Sequence, residues 1–494
     1  MINSLPMLYI NPHKHTGKVV VSTVERVADC NELRNRVAPM PDMNHRSPVM
    51  ALITLIFLLL SLPAQSNSGV QPVSSVFCGK LINGLDDAVF QRQLLTIQAG
   101  RVASVKALNN QPLPANTLDL SGYTCLPGLI DTHVHLDMYP EDSEDYRIYL
   151  KRTPEDTRTI ARDNARITLE AGFTSIRHIG SYLAWVDRDV KAEIEAGKVP
   201  GPRMQVAGFY LTIPHGGGDM YIPGVDDADI PDYYRRGVAR GPDAYRAKTR
   251  ELFAGGAEVI KIIASGAVFG FGGNVTEPEM TPEEISAVVE EAHGAGLKVT
   301  AHAHGARSIK EAILAGVDSI EHASLADDEA IALAAKHQVA FSMDVYNGDY
   351  TAEVGALNNW PEEFMIKNEQ TTEAQRLVFE KALVAGVPIL YGTDAGVAPH
   401  GGNGRQFRIM VERGMTPMQA IQSATSVAAK HIGWQKDVGA LQPGRYADLV
   451  AIAGDPLEDI TRLEQVAVII KGGNVTVPGC AALPPQGCLA AREH

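Results

Sequence analysis

The sequence predicts an α/β protein: a (β/α)8 TIM barrel with a small β-sandwich domain built from both ends of the chain. The first observation is a degenerate repeat in the centre, where a glycine ends a helix, a short apolar strand follows and a polar residue closes the strand. The second is the run of short strands and turns at each end. Alternating helices and buried strands are typical of a parallel sheet with right-handed crossovers.

Composition sets the broad class. The chain has 494 residues, of which 45% are hydrophobic and 21% are charged, so it is long enough for one large domain and a smaller one. The formal net charge is −14, and no long basic run is present. We therefore do not expect nucleic acid or an anionic membrane surface as a partner.

The first 66 residues contain an export signal. The stretch 43–50 carries basic residues, 51–62 is apolar, and the small residues Ala64 and Ser66 follow. This order predicts a signal peptide over 43–66 with cleavage after Ser66. We interpret residues 1–42 as a probable upstream, non-native start, with Met43 as the true start. The apolar run is too short for a comfortable membrane span, so we expect a periplasmic or secreted protein without a stable anchor after cleavage.

Export agrees with the cysteine content. The predicted mature part contains an even number of cysteines, which suits an oxidising compartment: Cys78, Cys125, Cys480 and Cys488. The last two are close in sequence and are candidates for a disulfide. Connectivity stays open at this point, and free buried thiols are the alternative.

Both ends of the mature chain have the pattern of a small β-domain. The first part of the predicted sandwich is 67–127, with strands near 75–78, 94–97, 102–105 and 119–126. The second part is 436–480, with strands near 438–441, 447–452, 466–470 and 473–475, followed by a tail, 481–494. We expect the two parts to pair beside the central domain.

The predicted barrel covers 128–435. Its helices have clear ends: Thr281 and Glu284 form a capping box around Pro282, and Gly294 ends the apolar periodicity. A doubly wound open sheet is the alternative, but it usually needs a Gly-rich phosphate loop, and 269–273 has no Lys-Ser/Thr after it. The candidate strands lie near 129–135, 174–179, 203–208, 258–264, 297–303, 317–323, 338–344 and 387–393.

A metal site is predicted at the carboxyl ends of these strands. His133 and His135 are two residues apart, so both point to one face of a strand, and neutral imidazole is a common ligand of zinc. Alone, the pair also fits a surface strand. In a barrel, however, the polar residues that end the strands converge. Four histidines, a lysine and an aspartate suit two divalent metals with a shared bridge: His133, His135, Lys261, His302, His322 and Asp394.

Lys261 has two interpretations. It lies within an apolar strand, 258–264, where an unpaired ammonium is costly. It either forms a salt bridge with a nearby carboxylate or has reacted with carbon dioxide to give a carbamate that bridges two metals.

These residues, in this order, resemble the metal-dependent amidohydrolase superfamily over roughly 75–475. The segment Gly439-Ala-Leu-Gln-Pro-Gly-Arg-Tyr-Ala-Asp-Leu-Val450 is similar to the C-terminal sandwich strand of that family. The chain looks most like the prolidase-like, imidazolonepropionase-related branch. That branch includes Xaa-Pro dipeptidases, zinc carboxypeptidases and ochratoxin-hydrolysing amidases.

The resemblance implies roles for the six residues. His133, His135 and Asp394 would hold one metal, zinc by default, and His302 and His322 the second. Lys261, carboxylated on its side-chain nitrogen, would bridge the metals together with a hydroxide that attacks the amide. Asp394 would act as the catalytic proton carrier.

The implied enzyme cleaves the amide bond of a dipeptide or an N-acyl amino acid, including ochratoxin-type amides, and assembles as a homo-oligomer. Alternatives are a cyclic amide or lactone hydrolase on the same site, or a non-catalytic binding relative.

Other histidines are candidates for substrate contacts. His304 follows His302 by two and faces the same cavity, as a catalytic or substrate-binding group or as a hydrogen-bonding support; relatives carry Tyr there, so its role stays open. Three more are equally compatible with ordinary loop or supporting roles: His178 at the end of the second strand, His215 in the loop 213–218, and His400 after Asp394. No cation declares a carboxylate clamp, although Arg307 and Arg405 follow strand ends.

Overall fold

A computed structural model of the chain describes residues 71–109 and 111–476. The predicted upstream segment 1–42, the signal peptide 43–66 and the tail 481–494 lie outside the described residues, as do Cys480 and Cys488. Among the described helices, none is both long and apolar enough to cross a membrane.

The described residues form sixteen strands and eleven α-helices. The strands are β1 (Gln71–Pro72), β2 (Ser75–Ile82), β3 (Val89–Gln98), β4 (Arg101–Ala107), β5 (Thr117–Pro127), β6 (Leu129–Val134), β7 (Phe173–His178), β8 (Arg203–Val206), β9 (Val259–Ile263), β10 (Lys298–Gly305), β11 (Ser319–Leu325), β12 (Ala340–Ser342), β13 (Ile389–Leu390), β14 (Leu449–Ala453), β15 (Val466–Lys471) and β16 (Asn474–Val475). The helices are α1 (Pro154–Glu170), α2 (Val186–Glu195), α3 (Pro242–Ala254), α4 (Pro282–Gly294), α5 (Ala306–Ala315), α6 (Asp328–His337), α7 (Asn347–Asn358), α8 (Glu362–Val384), α9 (Gln406–Glu412), α10 (Pro417–Ser423) and α11 (Ser426–His431).

Both ends of the described chain join one mixed eight-stranded sheet, in the order β1-β16-β15-β14-β5-β2-β3-β4. The two parts meet where β5 and β14 pair antiparallel, from Pro127 opposite Leu449 to Tyr123 opposite Ala453. The sheet has an apolar cluster of its own, which includes Val76, Leu120 and Val468. The predicted pairing of the two ends is therefore present, while their arrangement as a sandwich stays a prediction.

The sheet is crosslinked near its centre by a disulfide. Cys78 on β2 is bonded to Cys125 on the neighbouring strand β5, and both side chains are fully buried. Of the connectivities that the sequence leaves open, this pairing is the one found among the described residues.

The central strands form two parallel sheets, β6-β7-β8 and β9-β10-β11-β12-β13. All eight lie where the repeat predicts a strand. Two isolated parallel bridges connect the two sheets: Leu211 with Ile262 at one edge, and Val134 with Ala395 at the other. The helix α4 begins at the predicted capping box, with Thr281 accepting from the amide of Glu284.

The register of the parallel strands gathers polar residues at one edge. His302 on β10 lies opposite Glu321 on β11 and Ile263 on β9, and Ala303 lies opposite His322. Lys261 lies opposite Thr300, which precedes His302 by two residues on β10. The carboxyl ends of adjacent strands therefore bring these side chains to the same end of the sheets.

Removing the disulfide should destabilise the protein. The bond closes a loop between positions 47 residues apart, and such crosslinks typically contribute about 2–4 kcal/mol. We expect the Cys78→Ala/Cys125→Ala variant to unfold at lower urea concentration than the wild type. Reductant should lower the wild-type midpoint toward that of the variant and leave the variant unchanged. Free thiols at both positions in the native wild type would contradict the pairing.

Candidate metal centre

The first cluster contains the two histidines of the His-x-His segment and Asp394. His133 Nε2 lies 3.1 Å and His135 Nε2 lies 3.2 Å from the same Asp394 oxygen, Oδ1. The two Nε2 atoms are 3.3 Å apart. All three side chains are buried, so three potential ligand atoms converge without direct exposure to bulk water.

The second cluster contains three imidazoles. The ring centroid of His322 lies 4.5 Å from that of His302 and 4.7 Å from that of His304. Ligand atoms of these three residues all lie within 4.8 Å of one another, and those of His133, His322 and Asp394 form a second set with the same property. His322 therefore belongs to both sets. His304 lies beside the predicted metal ligands, although it is predicted as a catalytic or substrate-binding residue.

Lys261 lies in the same cavity and has no carboxylate partner at ion-pairing distance among the described residues. Its side chain is 2% exposed and lines the cavity with the two clusters. Burial lowers the pKa of Lys261 to about 8, although Glu321 and Asp394 act in the opposite direction. The described residues therefore do not form the salt bridge that is one of the two interpretations of Lys261.

Three of the histidines direct Nδ1 at a fixed oxygen. His135 Nδ1 lies 2.9 Å from the carbonyl oxygen of Gly180, His322 Nδ1 lies 2.9 Å from Asp344 Oδ1, and His133 Nδ1 lies 3.0 Å from Glu321 Oε2. A carbonyl or carboxylate oxygen only accepts, so Nδ1 of His135 and of His322 donates, whereas the His133–Glu321 contact lacks hydrogen-bond geometry. In the rings of His135 and His322, Nε2 is therefore the nitrogen that would bind a metal.

The protonation states of His302, His304 and Asp394 also suit metal ligands. Burial lowers the pKa of His302 and of His304 well below the usual value, so both imidazoles are neutral. Burial alone would raise the pKa of Asp394, but the neighbouring His133 and His135 hold it well below the usual value, so it is a carboxylate. Neutral imidazoles and a carboxylate are the donors that zinc-like ions take in proteins, and the residues present therefore fit a metal centre.

The backbone at two of these residues is in the left-handed region. The φ angle is +71° at His322 and +55° at Asp394. Such conformations cost about 1–3 kcal/mol each in a non-glycine residue and persist only where surrounding contacts fix them. Here the amide of Asp394 donates to His133 O at 2.8 Å, and Gln375 Nε2 donates to His322 O at 3.1 Å.

A buried ion pair lies beneath His133. Arg177 donates to Glu321 Oε1 at 2.7 Å, to Thr132 O at 2.7 Å and to Ser319 Oγ at 3.3 Å. Arg177 is 1% exposed and Glu321 is 0% exposed. The other oxygen of Glu321 faces His133, so this pair fixes the orientation of a predicted metal ligand.

Asp131 fixes the strand that carries His133 and His135. Its carboxylate accepts from the amides of His133 and Thr393 at 3.1 Å each, and from Asn403 Nδ2 at 2.8 Å. It therefore ties β6 to the segment that carries Asp394.

The sequence analysis missed these supporting residues. Arg177 and Glu321 are charged residues inside apolar strands, the same signal that singled out Lys261. For Asp344 and Gln375 no local pattern is available, because their role depends on the position of His322 in space.

Three predicted substrate contacts do not line the cavity, and their roles stay predictions. His215 points to Asp227, 3.1 Å away, and is exposed because its loop turns outward. His178 is fully buried beside Asp137 and Asp187. His400 spans Thr168 Oγ1 and His135 O, at 2.7 and 3.0 Å, and so supports the fold behind His135. His304, by contrast, lines the cavity, with Nδ1 2.9 Å from Ser324 Oγ.

The cavity has two unlike walls. One wall is aromatic and apolar, with Met138, Tyr146, Tyr182, Tyr210 and Phe269. The other consists of uncharged polar side chains from α7 and α8, namely Asn347, Thr351, Asn368, Thr371 and Gln375. Arg307 and Arg405 do not line it: they contact Glu311 and the hydroxyl of Tyr346.

Breaking the buried ion pair should be costly. In Arg177→Met, the Glu321 charge stays buried without its partner, so we expect a loss of about 3–5 kcal/mol in the free energy of unfolding. Arg166→Met is the matched control, because Arg166 pairs with Glu170 on a partly exposed helix face, where about 0–1 kcal/mol is typical. Urea unfolding measures both. Equal losses in the two variants would show that the pair does not support the site.

Comparisons with known proteins identify the family of this chain. Residues 124–476 match the Amidohydrolase family. The ochratoxinase of Aspergillus niger is 30% identical over 369 residues, which cover 71% of this chain and 75% of that protein. A crystal structure of a Xaa-Pro dipeptidase with methionine bound in its active site superimposes with a TM-score of 0.75 at 35% identity, over 81% of this chain and 98% of that one. The A. niger ochratoxinase structure gives a TM-score of 0.73 at 29% identity, over 83% and 96%. The chain therefore belongs to the amidohydrolase family and is a hydrolase that acts on amide bonds.

Proposed function

We propose that this protein is a binuclear metal-dependent amidohydrolase that cleaves the amide bond of a dipeptide or an N-acyl amino acid. One observation carries the proposal: His135 and His322 each donate from Nδ1 to a fixed oxygen acceptor. Their Nε2 atoms are thereby prepared as ligands, in a cavity shared with Asp394 and Lys261.

The residues divide into two ligand sets with one bridge. His133, His135 and Asp394 would hold one ion, and His302 and His322 the other. Lys261, carboxylated on its side-chain nitrogen, would lie between them. Zinc suits this set of imidazole and carboxylate donors. When bound, the two ions would supply Lewis-acid polarisation of the scissile carbonyl and lower the pKa of a water molecule.

Carboxylation of Lys261 is favoured by its surroundings. The neutral amine is the form that attacks carbon dioxide: its nitrogen lone pair forms the N–C bond, and the nitrogen releases a proton to solvent. Burial lowers the pKa of this amine to about 8, so a larger fraction is neutral near pH 7 than for an exposed lysine. The product is an anion, which two bound divalent cations would stabilise.

Asp394 and His304 are the groups proposed to act on the substrate. Asp394 is held as a carboxylate, and it would take the proton from the attacking water and return it to the leaving amine. His304 is neutral and lines the cavity, where its ring would position the substrate carbonyl or stabilise the negative charge that develops there.

The cavity walls suit a substrate with two unlike halves. The aromatic wall around Tyr146, Tyr182 and Tyr210 would pack against an apolar acyl group or side chain. The amide and hydroxyl wall from α7 and α8 would bind the leaving amino acid. Ochratoxinase and Xaa-Pro dipeptidase relatives support an amide of this general kind.

The same proposal covers architecture and location. The bridges at Leu211 and Val134 support closure of the two parallel sheets into a (β/α)8 barrel over 128–435, beside a sandwich formed by 67–127 and 436–480. The buried disulfide of Cys78 and Cys125 supports a periplasmic or secreted location.

Amide hydrolysis should depend on Lys261. A panel of N-acyl amino acids, ochratoxin-type amides and dipeptides, with cyclic amides and lactones alongside, identifies the preferred substrate. On that substrate we expect Lys261→Ala to lose about 10³-fold in kcat/KM, equivalent to ~4 kcal/mol of barrier. Added formate or acetate should restore part of the activity by supplying the missing carboxylate.

The matched control is Lys336→Ala, which changes an exposed lysine on α6 and should keep wild-type activity. Full activity of Lys261→Ala would refute the carbamate. Hydrolysis of only lactones or cyclic amides would move the substrate class to the alternative chemistry.

A further inference from the structure

A second large concavity lies away from the metal centre, at the amino-terminal ends of the parallel strands. It has a volume of about 470 Å³. Lys298 at the start of β10, Ala340 at the start of β12 and Ile389 at the start of β13 form one wall. Residues of α10 and α11 form the other. Substrate groups act at the carboxyl ends of such strands, so a ligand bound here would not overlap the metal centre.

The charge of this concavity is positive. Its lining includes Lys298 and Lys430, and no carboxylate among the described residues that form it. This is unusual for a chain with 58 acidic and 44 basic side chains. An acid-free concavity on an acidic protein is a place where an anion is attracted rather than repelled.

Lys298 has no ion-pair partner among the described residues. The carboxylate that acts on its pKa is Asp318, which already accepts from His293 Nε2 and the amide of Val299, each at 2.9 Å. A partly buried ammonium without a partner is unfavourable, and a bound anion would relieve that cost.

A structural role explains only part of this cluster. Lys430 lies in the last turn of α11, where the helix dipole favours positive charge. That account does not extend to Lys298, which comes from a strand on the facing wall. Nor does it explain His431 Nε2, which is buried and has no hydrogen-bond partner among the described residues.

The rest of the lining is apolar or uncharged. Leu383, Val387, Met415 and Val427 lie beside the lysines, with the amides of Gln419 and Gln422 at the rim. We propose that this concavity binds a small amphipathic carboxylate, with its anionic group between Lys298 and Lys430 and its apolar body against Leu383, Val387 and Met415. This proposal does not depend on the proposed function.

The test is calorimetric titration of the purified protein with hexanoate. A carboxylate is also a product of amide hydrolysis, so the titration is made in a His302→Ala background, which impairs the metal centre. We expect one hexanoate per chain there, and affinity about fivefold weaker when Lys298→Gln or Lys430→Gln is added. Lys430 is exposed, so we expect Lys430→Gln to test the site without destabilising the fold.

Two controls make the outcome decisive. Lys106→Gln changes an exposed lysine on β4 and should leave hexanoate affinity unchanged. Hexan-1-ol has the same apolar body without the charge and should bind more weakly. Equal hexanoate affinity in the lysine variants and the Lys106→Gln control would overturn the proposal, as would loss of all hexanoate binding in His302→Ala alone, or equal binding of hexanol.

Discussion

The buried ion pair between Arg177 and Glu321 is the interaction on which the site depends. It connects β7 and β11 across the interior, and Arg177 also binds the backbone of β6 at Thr132. A charge pair with almost no exposure is expensive to form and more expensive to break. Its value here lies in position: Glu321 Oε2 lies 3.0 Å from Nδ1 of His133, and Nε2 of the same ring faces Asp394.

The same arrangement, in which an oxygen atom faces Nδ1 of a histidine, is found at two other rings around the cavity. Gly180 supplies a backbone carbonyl to His135, and Asp344 supplies a carboxylate to His322. Gln375 in turn donates to Asp344 at 2.7 Å and so fixes its position. The rings of His135 and His322 are thus fixed in orientation before a metal arrives. The cost of organising the ligands is met during folding, which favours tight binding at the site.

Sequence reasoning located the strands and predicted which residues gather at their carboxyl ends, because both follow from local patterns. A glycine that ends a helix, an apolar strand and a terminal polar residue are all readable in order, and parallel strands carry those residues to one edge. It did not foresee the left-handed backbone at His322 and Asp394, since that conformation is imposed by contacts such as the bond from Gln375 to His322 O.

Loop residues were harder to place for the same reason. The direction of His215 depends on how its loop turns toward Asp227, and the role of His400 depends on its position behind His135. Neither is a property of the local sequence. The aromatic wall is another case, because Tyr146, Tyr182 and Tyr210 come from separate segments that meet only in the folded chain.

Metal content is the most direct test of the central claim. Elemental analysis of the purified protein, made in parallel on the wild type and on Lys261→Ala, measures how many divalent ions each chain holds. The account predicts about two ions per wild-type chain and a sharp fall in the variant, because the bridging ligand is lost. One ion per chain that is unaffected by the substitution would contradict it, and would make Lys261 a structural lysine beside a mononuclear site.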